Sequence, residues 1–336
     1  MSPDPTSERV AGAQSGAGLW SQLPERYRRL MKLKSVEVEE PIDMYFHRPV
    51  AAGMTSLILD LPIRPNHVTY ASLLTGWAGS VALYAAAFVA NTPRYAYALA
   101  GLLLFASVIL DCADGQLARA KGGGTRLGRI LDGVVDALVL LPAYALMVLD
   151  LARQYGSHWI WLGAFAGFTS WAQIVIYDKI KSVFLAHTHP GSSDGGESPE
   201  AAKAELEQVR AEGFSLDFVL LWLYVRVLLR IQNRFVPGTS PEPETSPESR
   251  LAFSARHRAT MRLVSYLGLG THMLFVYSAV FLATWWPLST AVIQVLFGIG
   301  FNSLLVVVLS KSRALRAYHP PGPPPSVPPA GGADGG

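Results

Sequence analysis

A chain of 336 residues could hold two water-soluble domains, but only 16% of its residues are charged and half are hydrophobic. Its mean hydropathy of +0.27 points instead to a membrane as the solvent. The net charge of +3 is small, so no nucleic-acid partner is expected, and the single cysteine, Cys112, excludes an intrachain disulfide framework or a multi-cysteine metal site.

The first 20 residues are small and polar and lack a charged start leading into an apolar run, so they read as a disordered tail rather than a cleavable signal. Residues 1–40 are taken together as a disordered, basic N-terminal tail, ending in Arg26, Arg28, Arg29, Lys32 and Lys34. A juxtamembrane amphipathic helix is expected over 41–63, with its body from Pro41 to Leu61. His47, beside Arg48, could bind a lipid phosphate or assist a base, but is expected to be solvated at the interface.

A membrane-spanning helix needs about 20 apolar residues. Six stretches qualify: 67–90, 95–119, 127–150, 157–180, 259–284 and 288–310. The expected fold class is therefore all-α, a polytopic six-transmembrane-helix bundle occupying 64–311. A cytoplasmic insertion runs over 186–256. Within it, Phe214 to Val236 is apolar enough for a seventh span, but Arg226, Arg230 and Arg234 recur every four residues, which suggests an interfacial helix with one basic stripe. Its flanks, Gly191 to Pro199 and Pro237 to Pro247, read as linkers. Residues 312–336 form a Pro/Gly-rich tail, which should be disordered.

Charge sets the expected topology. The turns after the first, third and fifth spans carry little positive charge beyond Arg94 and Arg153, whereas Arg119, Lys121, Arg126 and Arg129 crowd the second-to-third turn. An integral membrane protein with both termini and its active site facing the cytoplasm follows.

The second span ends in Asp111 and Asp114, and the third contains Asp132 and Asp136. A carboxylate near the bilayer centre costs at least about 2.5 kcal/mol on insertion scales, so something must compensate four of them. Spacings of three and four residues place each pair on one face of its helix, and the short connection makes the two helices antiparallel neighbours. Four oxygen donors without His or Cys suit a hard ion, Mg²⁺ or Mn²⁺, which keeps positions for substrate phosphates. Gly115 and Gly128 leave side-chain-free space one turn from Asp111 and Asp132. Arg119, Arg126 and Arg129 can pair with a phosphate.

The spacing D-x2-D-G-x2-A-R-x8-G-x3-D-x3-D, running from Asp111 to Asp136, resembles the signature of the CDP-alcohol phosphotransferase (CDP-alcohol phosphatidyltransferase) family of integral membrane enzymes. Every fixed position is matched. The resemblance implies metal binding by Asp111, Asp114 and Asp132, with Asp136 as general base and possible further metal ligand. It implies a cytidine diphosphate pocket lined by Gly115, Ala118, Arg119 and Gly128, with Thr125 where the family often places a small hydroxyl residue. Asn66 lies in a Pro-Asn-x-x-Thr stretch similar to the family's. It either touches the nucleotide or holds the metal helices, unless it is a plain helix cap.

The activity implied is metal-dependent transfer of a phosphoalcohol group from a CDP-alcohol donor to the hydroxyl of a lipid or polar alcohol acceptor, with release of CMP, in phospholipid biosynthesis. Membrane lipids and a second copy of the chain, in a homodimer, are the other implied partners. The alternative is a catalytically silent relative, or an ion or lipid transporter that uses the acidic cluster. Gln173, His272 and Asn302 are expected to hydrogen-bond between helices. Tyr177, Asp178, Lys179 and Lys181 could read an acceptor's polar head or serve as topological anchors.

Overall fold

The computed structural model describes residues 19–31, 37–122, 126–189, 199–213, 216–223, 225–226 and 246–316. Every regular element among them is helical. Helix α1, Leu19–Met31, precedes a π-helical turn, Asp43–His47, that continues into α2, Arg48–Ile58. Then come α3, Pro65–Phe88; α4, Tyr95–Ala120; α5, Arg126–Tyr155; and α6, His158–Thr188. After α7, Pro199–Glu212, and α8, Leu216–Leu223, the chain forms α9, Pro247–Val264, and α10, Leu269–Leu282, separated by a 3₁₀ turn at Ser265–Leu267. It closes with α11, Ser289–Val295, a π-helical turn at Leu296–Phe301, and α12, Asn302–Arg316.

Among the described residues, six helical stretches are long and apolar enough to cross a membrane. Four are α3, α4, the 132–155 part of α5, and α6. The others are the α9–α10 pair and the α11–α12 pair. The third and fourth helices run past their expected ends, to Tyr155 and Thr188.

One local expectation is corrected and two are refined. The tail read over 1–40 contains helix α1, which packs on α2 and whose Arg26 pairs with Asp60 at 2.6 Å. The insertion over 186–256 contains α7, whose regular charge-rich sequence has no bilayer-length apolar run to betray it. The fifth span is broken at Gly268, whose extended backbone starts α10 afresh. Of the Phe214–Val236 segment, α8 is described, whereas Arg230 and Arg234 lie outside the described residues.

The break in the fifth span is held by a residue 230 positions away. Glu40, buried, accepts hydrogen bonds from the Gly270 N–H at 3.2 Å, the Thr271 N–H at 2.8 Å and the Thr271 hydroxyl at 2.9 Å. The Glu40 carboxyl thus satisfies the donors left over at the first turn of α10. A Cβ on Gly268 or Gly270 would collide with the Glu40 or Asp43 carboxyl respectively, so both glycines are required by close approach. Burial, reinforced by the Asp43 charge, pushes the Glu40 carboxyl up to about 8.

For an acid raised in the folded state, the folded protein binds more protons between the ordinary carboxylate range and the raised value. The Glu40 contribution therefore favours folding below about pH 4.5 and is lost as pH rises through 8. The thermal midpoint is expected to fall across that window. In Glu40→Gln this slope should flatten, as a pH series of thermal melts would read; an unchanged slope would assign it to other groups.

The same segment also reaches the other helices. Tyr177 on α6 donates to the Val38 carbonyl at 2.9 Å, Arg262 on α9 to the Glu39 carbonyl at 3.3 Å, and Gln116 on α4 to the Arg48 carbonyl at 3.1 Å. Arg48 in turn pairs with Glu39 at 3.2 Å. His47 is fully buried, between Asp43 at 2.7 Å and the Tyr277 hydroxyl at 3.0 Å. The expected solvated histidine is thus corrected: two polar partners offset its desolvation. Residues 37–48 act as a strap tying α4, α6, α9 and α10 together.

Deeper in the bundle, Gln173, His272 and Asn302 bond to one another, His272 to Gln173 at 3.2 Å and Gln173 to Asn302 at 3.2 Å. Asn302 also donates to the Phe297 and Gly298 carbonyls at 3.2 and 3.0 Å. These bonds satisfy backbone at the π-helical turn where the last span changes pitch.

Candidate active site

Helix α3 positions the two acid-bearing helices, because it packs along both α4 and α5. Ser72 and Ser107 exchange hydroxyl-to-carbonyl bonds across the α3–α4 seam, each 2.9 Å. At Gly76 the three helices pack tightly: an added Cβ would stand 2.6 Å from both Val139 methyls on α5 and 2.9 Å from the Ser107 hydroxyl on α4. Small residues allow such approach where lipid supplies no hydrophobic drive between helices.

At one membrane face Lys121, just past α4, donates to the Leu61 and Ile63 carbonyls at 2.9 and 2.8 Å. This ties the start of the α4–α5 turn to the start of α3. The acidic ends of α4 and α5 therefore meet beside the juxtamembrane segment.

One carboxylate oxygen from each of Asp111, Asp114 and Asp132 lies within 4.8 Å of the other two. Asp114 is only 5% exposed. The Asp111 Oδ1 and Asp114 Oδ2 atoms are buried with no hydrogen-bond partner among the described residues. A buried acceptor left unsatisfied costs roughly 1–3 kcal/mol, more when charged, and several like charges this close repel. A hard divalent cation removes both penalties at once, and a donor set made only of oxygen suits Mg²⁺ or Mn²⁺. The residues present fit such an ion.

Asp136 stands outside this group of three, one turn along α5 from Asp132. It lies within electrostatic reach of Asp132 and Asp114, and also of Asp43 in the strap and Asp178 on α6. Arg119 folds back along α4, its Nη1 atom 3.3 Å from where a Gly115 Cβ would stand, which brings its charge close to Asp114. Gly115 thus provides the groove in which the guanidinium lies. Ala118 is half-buried on the next turn.

The remaining sequence candidates separate. Gly128 sits in the first turn of α5, and Thr125 lies outside the described residues. Asn66 is exposed, and it is not the helix cap: that position belongs to Arg64, with Pro65 following it. The cap reading is corrected. Pro65 already fixes the first helical turn and leaves Asn66 two places past the cap.

Thr69, the last residue of the same Pro-Asn-x-x-Thr stretch, is buried and places its hydroxyl beside Asp114. The four-residue helical step from Pro65 to Thr69 was the readable signal, since Thr69 also donates to the Pro65 carbonyl at 3.3 Å. Sequence reasoning also missed Gln116, buried two residues past Asp114 in sequence, which anchors α4 to the strap. Lys181 lies over the Tyr177 ring at 5.6 Å.

Against this geometry, the family model of CDP-alcohol phosphatidyltransferase matches residues 63–193. This range covers α3 to α6 and contains all four aspartates. The matched family is one of transferases. No curated protein and no solved structure matches the chain.

Proposed function

We propose that this protein is a divalent-metal-dependent CDP-alcohol phosphotransferase that moves a phosphoalcohol group to an acceptor hydroxyl and releases CMP, in phospholipid synthesis. The observation that carries this reading is the convergence of Asp111, Asp114 and Asp132 inside the matched domain.

Asp111, Asp114 and Asp132 would hold the ion. Once bound, the ion supplies positive charge against that building on the pyrophosphate oxygens. Gly115, Ala118, Arg119, Thr125 and Gly128 line the cytidine diphosphate. Arg119 is already turned toward the acids, so it can pair with a donor phosphate oxygen by charge-assisted bonds. Thr69 takes over from the exposed Asn66 as the α3 residue that steadies Asp114.

Asp136 accepts the proton of the acceptor hydroxyl. The freed oxygen forms a bond to the phosphorus bearing the transferred alcohol, and the bond from that phosphorus to the CMP oxygen breaks. Asp136 is suited to this role because it is one turn from Asp132 yet outside the metal group of three.

The basic residues Lys121, Arg126 and Arg129, which lie in sequence between Asp114 and Asp132, support a cytoplasm-facing site. A lipid substrate is supported by the site's place at the end of spanning helices. The homodimer rests on family resemblance.

Chelation is the test. Purified protein supplied with CDP-alcohols and a panel of alcohol acceptors should lose CMP release in EDTA and recover it with added Mg²⁺ or Mn²⁺. Full turnover in the presence of chelator would contradict the metal role. Movement of an ion or lipid across vesicles without any CMP release would favour transport instead.

A further inference from the structure

The far end of the bundle holds a second polar site. The acids and this site share helix α4, and Tyr97 lies seventeen residues before Asp114, roughly 25 Å at about 1.5 Å per residue. There a cavity of about 240 Å³ opens among Arg94, Tyr97, Asp150, Arg153, Gln154 and the turn between Ala283 and Pro287.

Its charges do not balance. Asp150, 4% exposed, accepts the Tyr97 hydroxyl at 2.7 Å through one oxygen and the Arg153 Nη2 at 3.3 Å through the other. Arg94 donates from Nη2 to the Ala283 carbonyl at the end of α10, 3.2 Å away. One carboxylate therefore faces two guanidinium groups. Each guanidinium carries five N–H donors, and among the described residues each has one hydrogen bond through a single nitrogen. Gln154 brings an exposed amide to the same rim.

The surroundings set the depth of the site. Tyr95, Trp285 and Trp286, at 68%, 68% and 50% exposure, flank it in sequence and are uncovered by protein. Exposed Trp and Tyr at helix ends mark the lipid headgroup level. The Arg153 guanidinium also lies 5.7 Å from the Phe88 ring, at the end of α3.

We propose that this cavity binds the phosphate of an anionic lipid headgroup in the leaflet opposite the acidic cluster, with Arg94 and Arg153 forking its oxygens and Gln154 closing the rim. Planar guanidinium pairs match phosphate geometry. The volume is below the roughly 300–1,000 Å³ of pockets that enclose a drug-sized ligand, and a headgroup phosphate whose tails remain in the bilayer needs less. A role limited to topological anchoring explains why arginines occur here. It does not explain a buried aspartate that orients one of them toward an open cavity.

The test is lipid binding by the purified full-length chain, read by native mass spectrometry with phosphatidylglycerol, phosphatidylcholine and inorganic phosphate as separate arms. Wild type should retain one phosphatidylglycerol that phosphatidylcholine does not replace. Arg94→Gln with Arg153→Gln should weaken that binding about tenfold or more, since hydrogen bonds to charged groups are stronger than neutral ones. Because Arg94 holds a helix end, Gln154→Glu provides a second variant. It breaks no internal hydrogen bond among the described residues and should weaken binding in the same direction. Asp114→Asn should bind as wild type does, so the result is independent of the proposed transferase activity. Equal affinity in wild type and both rim variants would overturn the site. Competition by inorganic phosphate as effective as by the lipid would overturn its assignment to a headgroup.

Discussion

Asp114→Asn is expected to lower CMP release at least about a hundredfold to a thousandfold, the range seen when one preorganised electrostatic group is lost from an active site, while leaving the bundle folded. The neutral amide is nearly the same size as the carboxylate but supplies a weaker, uncharged oxygen to a hard ion. In metal-free protein the substitution removes one of several mutually repelling charges. Thermal stability without metal should therefore be equal to or above that of wild type, whereas stabilisation by added Mn²⁺ should shrink. Together these readouts separate a ligand from a structural residue. A carboxylate that only holds helices together would lose stability when replaced and would leave the metal response unchanged. Wild-type turnover in the variant would refute the assignment.

The second large effect is structural. Gly76→Ala is expected to destabilise the protein by about 1–3 kcal/mol, the usual range for overpacking, with a parallel loss of activity as the acid-bearing helices are pushed apart. The new methyl group would lie 2.6 Å from Val139 on α5 and 2.9 Å from the Ser107 hydroxyl on α4. Ser107 cannot swing away without giving up its bond to Ser72. Val139→Ala removes the methyls on the other side, so the double variant should melt closer to wild type than Gly76→Ala alone. That non-additivity is the sign of direct contact, and thermal melts of the four proteins in one detergent read it. A double variant whose losses simply add would place the clash elsewhere.

Much of this was readable from the chain because the membrane makes local patterns decisive. Six apolar stretches had to become spanning helices, and charged side chains on two of them had to meet. Asp111, Asp114 and Asp132 do meet. The spacing located them, since three- and four-residue steps fix one helix face, although the third helix that seats the pair, α3 with Gly76, did not show in their own pattern.

What escaped the sequence is long-range pairing. Glu40 caps a helix that begins 229 residues later, at Leu269, and neither end carries a periodic signal for it. His47 looked like a wet interfacial residue because its partner, Tyr277, sits in a distant span. The Gly268 break hid inside a stretch apolar enough to read as one helix. Arg94, Asp150 and Arg153 each had an adequate explanation alone, and only their assembly around one cavity gives them another.

Three aspartates from two spanning helices are proposed to share one divalent ion. The most direct measurement is an electron paramagnetic resonance titration of Mn²⁺ into purified wild type and into Asp111→Asn, Asp114→Asn and Asp132→Asn. Wild type should bind Mn²⁺ saturably, and each single substitution should weaken that binding by at least about tenfold, the loss produced even by changes to groups that only orient a metal's ligands. Wild-type Mn²⁺ binding in all three variants would contradict the account.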